Sequence, residues 1–119
     1  MSTADETLAS LTRQIREFSR ERDWEQFHDP KSLILALVGE VGELAELFQW
    51  VPADEAVSQF EDVARRRRAG EEISDVLIYL LRLADVLGID VAAAAAAKLE
   101  GSRARFDVAN VRGVAPRKD

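Results

Sequence analysis

The chain has 119 residues, 47% apolar and 32% charged, with a net charge of −6 and no cysteine. That is the length and balance of one soluble folded domain; it excludes disulfides, thiolate metal sites and cysteine nucleophiles. The acidic balance has the wrong sign for gripping a nucleic-acid backbone, so a phosphate-bearing ligand fits only where acids hold metal and metal holds phosphate.

Apolar spacing predicts a first helix from about Asp5 to Arg22, with Leu8, Leu11, Ile15 and Phe18 on one seam. Residues Met1 to Arg20 lack the basic-then-apolar order of a signal peptide. No run approaches the roughly 18 apolar residues of a membrane span, so a cytoplasmic protein with no membrane partner is expected. Asp23 to Pro30 is a connector rich in aromatic and polar groups, and Asp29-Pro30 reads as a helix start, Asp capping and Pro leading. A second helix is predicted from Pro30 to Trp50, ended by Val51-Pro52, with a short helical turn within Ala53 to Gln59. The third runs from Phe60 to Leu87, with Gly88 as its C-cap. Asp90 caps a fourth, Val91 to Arg105, which contains the alanine run Ala92 to Ala97. Residues 106–119 read as an irregular tail, so a single domain over 1–119 with a helical core of about 5–105 is expected. No segment alternates long enough to be a strand; the fold class is all-α, a four-helix bundle.

Two acid pairs stand out. Glu40-Val41-Gly42-Glu43 lies in the second helix and Glu72-Ile73-Ser74-Asp75 in the third, and residues three apart share a helix face. At about 100° per residue from Leu33, the residues Leu44, Leu37, Phe48, Val41, Ile34, Ala45 and Val38 fill an arc to roughly 140°. Glu40 falls near roughly 340° and Glu43 near roughly 280°, with Leu47 and Ala36 between them, whereas Glu46 is on the wet face. In the third helix Val76, Leu80, Leu83, Leu87, Ile73 and Ala84 make the expected core stripe, Glu72 and Asp75 border it, and Tyr79 stands above both acids. Converging carboxylates repel one another; a hard divalent cation, Mg2+ or Mn2+, removes that cost. Ion pairs with Arg65 to Arg68, Arg82, Arg103 or Arg105 would remove it too, and geometry alone leaves the two readings level. A di-iron bundle needs Glu-x-x-His on two helices; the one histidine, His28, is outside both pairs.

The stretch Phe18 to Trp50, with Glu21-Arg22-Asp23-Trp24-Glu25-Gln26-Phe27-His28 and Leu37-Val38-Gly39-Glu40-Val41-Gly42-Glu43-Leu44-Ala45-Glu46-Leu47-Phe48-Gln49-Trp50, resembles the dCTP pyrophosphatase branch of the MazG-like nucleotide pyrophosphohydrolases. So does Glu71-Glu72-Ile73-Ser74-Asp75-Val76-Leu77-Ile78-Tyr79-Leu80, and the likeness extends to about Arg105, with Arg112-Gly113 a fainter match. It implies a MazG-like all-α fold, Mg2+ dependence, and release of pyrophosphate from a nucleoside triphosphate, dCTP or modified dCTP, as nucleotide-pool cleaning. It maps the metal ligands onto Glu40, Glu43, Glu72 and Asp75, the base pocket onto Trp24, His28, Trp50 and Tyr79, and the phosphate contacts onto Lys98, Arg103 and Arg105. Ser102 stands where related enzymes often carry asparagine, and the loop Val51 to Arg68 does not match.

Trp50 follows Glu43 by seven residues, so it shares that helix face and can stack on a base. Arg65 to Arg68 reads as a solvated face, with Glu61, Asp62, Glu71 and Glu72 spaced for ion pairs. Glu40 is taken as the base because it lies deepest in its arc. No glycine-rich loop ending in Lys-Ser or Lys-Thr is present, so attack at the α-phosphorus is expected. Ile78 and Leu81 lie opposite the stripe, making the third helix apolar nearly all round, which predicts a homo-oligomer; the resemblance implies a tetramer. Two alternatives remain: a pyrophosphohydrolase of other or broad preference, such as dUTP, and a non-catalytic helical interaction protein whose acids pair with arginines.

Overall fold

Thr7 opens the first helix, its hydroxyl accepting the Ser10 N–H at 3.0 Å, and α1 runs Leu8–Glu21. The structure, a computed structural model, describes residues 6–116. Asp5 and residues 117–119, part of the expected helix and tail, lie outside the described residues. Past α1 the chain reverses through Asp23, whose φ of 54° is a conformation only short polar side chains and glycine adopt readily. Gln26 fastens this corner by donating to the Asp23 carbonyl and carboxylate at 2.9 and 3.1 Å. A 3₁₀ turn, Glu25–Phe27, completes the connector.

Asp29 caps α2 (Pro30–Glu46), accepting the Ser32 N–H at 2.9 Å and the Ser32 hydroxyl at 2.6 Å. The helix is shorter than expected: at Leu47 and Phe48 the bonds tighten to three-residue spacing, Leu47 N–H to Leu44 O at 3.2 Å and Phe48 N–H to Ala45 O at 3.0 Å. Trp50 is therefore not on the helix face of Glu43. Two 3₁₀ turns follow, Ala53–Glu55 and Ser58–Glu61. Asp62 then caps α3 (Val63–Val86) through the Arg65 N–H at 3.0 Å. Gly88, at φ 70°, ends it as expected, with Gly88 N–H to Asp85 O at 3.0 Å and Ile89 N–H to Ala84 O at 2.8 Å.

The chain divides into two compact units, Met1–Ile89 and Asp90–Asp119. In the first, α3 packs against both α1 and α2. Among the described residues its buried apolar side chains are Leu33, Ala69, Leu81 and Ala84, and the stacked rings of Phe48 and Phe60, 4.3 Å between centroids, join the end of α2 to the segment before α3. The stripe read from the sequence is rotated: Leu81, expected on the outer side, is 1% exposed, whereas Ile73 and Leu80 are 54% and 40% exposed. The cause is that α3 has two neighbours, and the face against Leu11, Ile15 and Phe18 of α1 is the one that closes over Leu81. On α2 only Leu33 is fully buried; Ile34, Val38 and Val41 stay exposed because α3 covers one side of the arc. In the second unit Asp90 caps α4 (Val91–Arg105) through the Ala93 N–H at 3.1 Å. The tail, expected to be irregular, holds one further helical turn, α5 (Val108–Val111). Among the described residues all regular structure is helical.

Candidate metal centre

Packing α2 against α3 brings the two acid pairs together. One carboxylate oxygen each from Glu40, Glu43 and Glu72 lies within 4.8 Å of the others. The order of burial differs from the sequence reading: Glu72, at 5% exposed, is the deepest acid, Glu40 is half-buried, and Glu43 and Asp75 are exposed. Asp75 lies outside the three-oxygen group, yet close enough for its charge to act on both Glu40 and Glu72.

The site is electrostatically incomplete. Glu40 Oε2 and Glu72 Oε2 are buried with no hydrogen-bond partner, a costly state for a carboxylate oxygen. Burial first, then the charge of Glu43, pushes the Glu40 carboxyl above its ordinary value, with Asp75 and Glu72 adding to it. Burial and Glu43 push Glu72 the same way, opposed by Arg68. The ion-pair alternative is realised only there: Arg68 Nε and one terminal nitrogen sit 3.1 and 3.0 Å from Glu72 Oε1. Among the described residues Glu40, Glu43 and Asp75 form no ion pair with a base. An all-oxygen donor set with two orphaned inward oxygens fits a hard divalent cation.

The other expected site residues have different neighbours. Trp50, 87% exposed, lines a cavity of about 310 Å3 with Glu46, Gln59, Phe60, Arg65 and Arg68, and all four arginines of the run are exposed. Arg65 donates to Gln59 Oε1 at 2.5 Å, and Arg67 pairs with Glu71 at 3.7 Å. Trp24 stands edge-on to Phe18, centroids 5.7 Å apart. Tyr79 is half-buried one turn beyond Asp75 on α3. Lys98, Arg103 and Arg105 stand on α4 in the second unit; Arg103 pairs with Glu100 at 2.8 Å and Arg105 lies over the Phe106 ring.

His28 belongs to a cluster that sequence reasoning missed. Its Nδ1 accepts from Arg82 Nε at 3.0 Å. Arg82, 7% exposed, also reaches Asp85 Oδ2 at 3.2 Å. Arg16 of α1 grips the same carboxylate with two nitrogens, at 2.8 and 2.6 Å. The Arg16 fork holds Asp85 below its ordinary value, while burial, then Arg82, lowers His28. The signal available in sequence was Arg82-x-x-Asp85, a charge pair set inside an otherwise apolar helical run.

A family model described as the MazG-like family matches residues 36–114. The chain is 48% identical over 113 residues to dCTP pyrophosphatase 1 of Bos taurus, covering 95% of this chain and 67% of the bovine one. It is 50% identical over 109 residues to the Rattus norvegicus protein of the same name, covering 92% of this chain and 64% of the rat one. The chain thus spans about two thirds of the length of the curated relatives it matches. Among solved structures, a pyrophosphatase from Archaeoglobus fulgidus superposes with a TM-score of 0.78 at 36% identity, covering 90% of this chain and 98% of that one.

Proposed function

The chain belongs to the MazG-like family, and from that premise we propose that it hydrolyses a nucleoside triphosphate, dCTP or a modified dCTP before others, to the monophosphate and pyrophosphate. The observation that carries the reading is the pair of buried, unpartnered oxygens in a converging carboxylate cluster. The substrate rests on the names of the bovine and rat relatives, and the family match, running across both units, supports a single domain.

Glu40, Glu43, Glu72 and Asp75 hold the cation, Mg2+ or Mn2+; when bound it supplies positive charge to the triphosphate and makes water more acidic. Glu40, whose buried Oε2 has no hydrogen-bond partner and which, unlike Glu72, pairs with no arginine among the described residues, accepts the proton of the attacking water. A new P–O bond forms at the α-phosphorus, the bond to the bridging oxygen breaks, and pyrophosphate leaves. Trp24, His28, Trp50 and Tyr79 hold the base; Lys98, Arg103 and Arg105 offset the charge of the phosphates. The reading includes a homo-oligomer, a tetramer, in which neighbouring copies complete each pocket. Its support is the apolar surface that one chain leaves open, Leu35 at 64%, Val38 at 61% and Ile73 at 54% exposed. No described helix is long and apolar enough to cross a membrane, and a cytoplasmic nucleotide-pool role follows from the substrate.

The test is a panel of the common triphosphates with Mg2+, run in oxygen-18 water. Pyrophosphate release fastest from dCTP, with label in the monophosphate, supports the reading. Label in pyrophosphate means attack at the β-phosphorus; free orthophosphate with a diphosphate product overturns the mechanism, and no turnover overturns the activity.

A further inference from the structure

The group Arg16–Asp85–Arg82–His28 joins α1, the connector and α3 through contacts distant in sequence. Its chemistry fixes a proton. Arginine is always charged and only donates, so the nitrogen facing Arg82 Nε, His28 Nδ1, must carry a lone pair. A neutral imidazole has a single proton, which then resides on Nε2. Arg82 cannot turn away to release the ring: Asp85 holds it from the other side, and Asp85 is itself clasped by two nitrogens of Arg16. The group carries two guanidinium charges against one carboxylate, so adding a third cation at His28 is disfavoured; among the described residues Glu25 is the one acid acting on the ring in the opposite sense.

From this geometry we infer that Arg82 is a positioning residue that locks His28 into the Nε2–H form and thereby selects the base: a fixed donor suits an acceptor nitrogen and rejects a protonated one. The inference rests on the proposed reading in which His28 contacts the base. Cytosine presents a lone pair at N3 beside the O2 carbonyl, whereas uracil and thymine carry a proton at N3. A histidine free to exchange tautomers accommodates either edge; one held as donor accepts cytosine and leaves uracil with two donors opposed. Asp85 and Arg16 act through Arg82, and no member of the group belongs to the acid centre.

Because His28 is the only histidine, the imidazole nitrogen spectrum of the untagged full chain reports it alone. The wild type is expected to show an unprotonated Nδ1 and a protonated Nε2 at neutral pH. Arg82→Met, which keeps bulk but has no donor, should give mixed tautomers and lower the preference for dCTP over dUTP in kcat/KM by about 10-fold, through the KM for dUTP. Arg82→Lys, which restores a donor, should recover most of the preference. Where Arg82→Met does not fold, Asp85→Asn, which frees one side of Arg82, takes its place with the same two readouts. An Nδ1–H or doubly protonated ring in the wild type overturns the lock. Altered tautomers with unchanged preference overturn base selection. A wild type that turns over no triphosphate overturns base selection together with the proposed activity, while the spectrum still decides the lock.

Discussion

Helix α3 carries two carboxylates pressed against other elements, and they have opposite fates. The side chain of Asp85 is 15% exposed and meets two arginines; that of Glu72 is 7% exposed and meets one arginine and two further acids. Asp85 is held below its ordinary value by the Arg16 hydrogen bonds, and both its oxygens are used. Glu72 is pushed above by burial and by Glu43, and its Oε2 has no partner. Similar burial on one helix thus leads either to a closed electrostatic group that ties elements together or to an open one that invites a cation. The sign of the neighbours decides between them, not depth.

The sharpest way to break this contrast is to neutralise the open group. Glu40→Gln, Glu43→Gln, Glu72→Gln and Asp75→Asn should each lower turnover by roughly 100-fold or more while circular dichroism keeps the helical signal. Glu40→Gln should also raise the melting temperature of the metal-free protein, since it removes a charge disfavoured by burial and by Glu43, Asp75 and Glu72. Near-wild-type turnover in all four variants would sink the metal-centre reading.

The same contrast appears in the response to metal. A cation that binds only the folded chain stabilises it by about 2.7 kcal/mol at 100 times its Kd. Mg2+ or Mn2+ should therefore raise the melting temperature of the wild type and of Asp85→Asn by similar increments, and that of Glu40→Gln/Glu72→Gln hardly at all. Equal increments in all three proteins would place the cation elsewhere.

Much of this was legible in the chain because its signals are local. Caps at Asp29 and Asp90, the glycine stop at Gly88 and acids three apart on two helices are each written within a few residues. What was not legible depends on partners remote in sequence. Periodicity along α3 yields one apolar arc, whereas the helix has two neighbours, and the second of them buries Leu81. For the same reason the α2 arc alone points to Glu40 as the deepest acid, whereas Glu72 is the buried one. Seven-residue spacing puts Trp50 on the face of Glu43, but the helix tightens and ends at Leu47 and Phe48, where Phe48 stacks on Phe60, a partner beyond the reach of that spacing. The Arg16–Asp85 contact joins residues 69 apart, beyond any periodicity argument.

The closed group should answer to stability instead of turnover. Asp85→Asn leaves Arg82 at 7% exposure without its counter-ion, a loss of about 2 kcal/mol once partial solvent access is allowed for. Urea unfolding measures it directly: a midpoint lowered at unchanged slope is expected. An unchanged midpoint would show that the cluster is ornamental to the fold.

The smallest effect is in the pH dependence of that group. The His28 value is lowered from 6.5 by burial and by Arg82, with Glu25 acting the other way. Above 6.5 the ring is neutral in both folded and unfolded chains and contributes nothing to the slope. As pH falls below 6.5 the unfolded chain takes up a proton that the folded chain refuses, so stability declines until the lowered folded value is passed, and is constant beyond it. The carboxyls of Glu40 and Glu72, raised above 4.5, push in the opposite direction over part of the same range, since the folded chain takes up their protons first. His28→Gln isolates the ring: its amide oxygen still accepts from Arg82 but does not titrate, and the acids are common to both proteins. The stability of the wild type relative to His28→Gln should fall over the interval in which the pH drops through 6.5. A difference that stays flat across that interval would mean His28 gains its proton as readily folded as unfolded, and the Arg82 contact would then not control it.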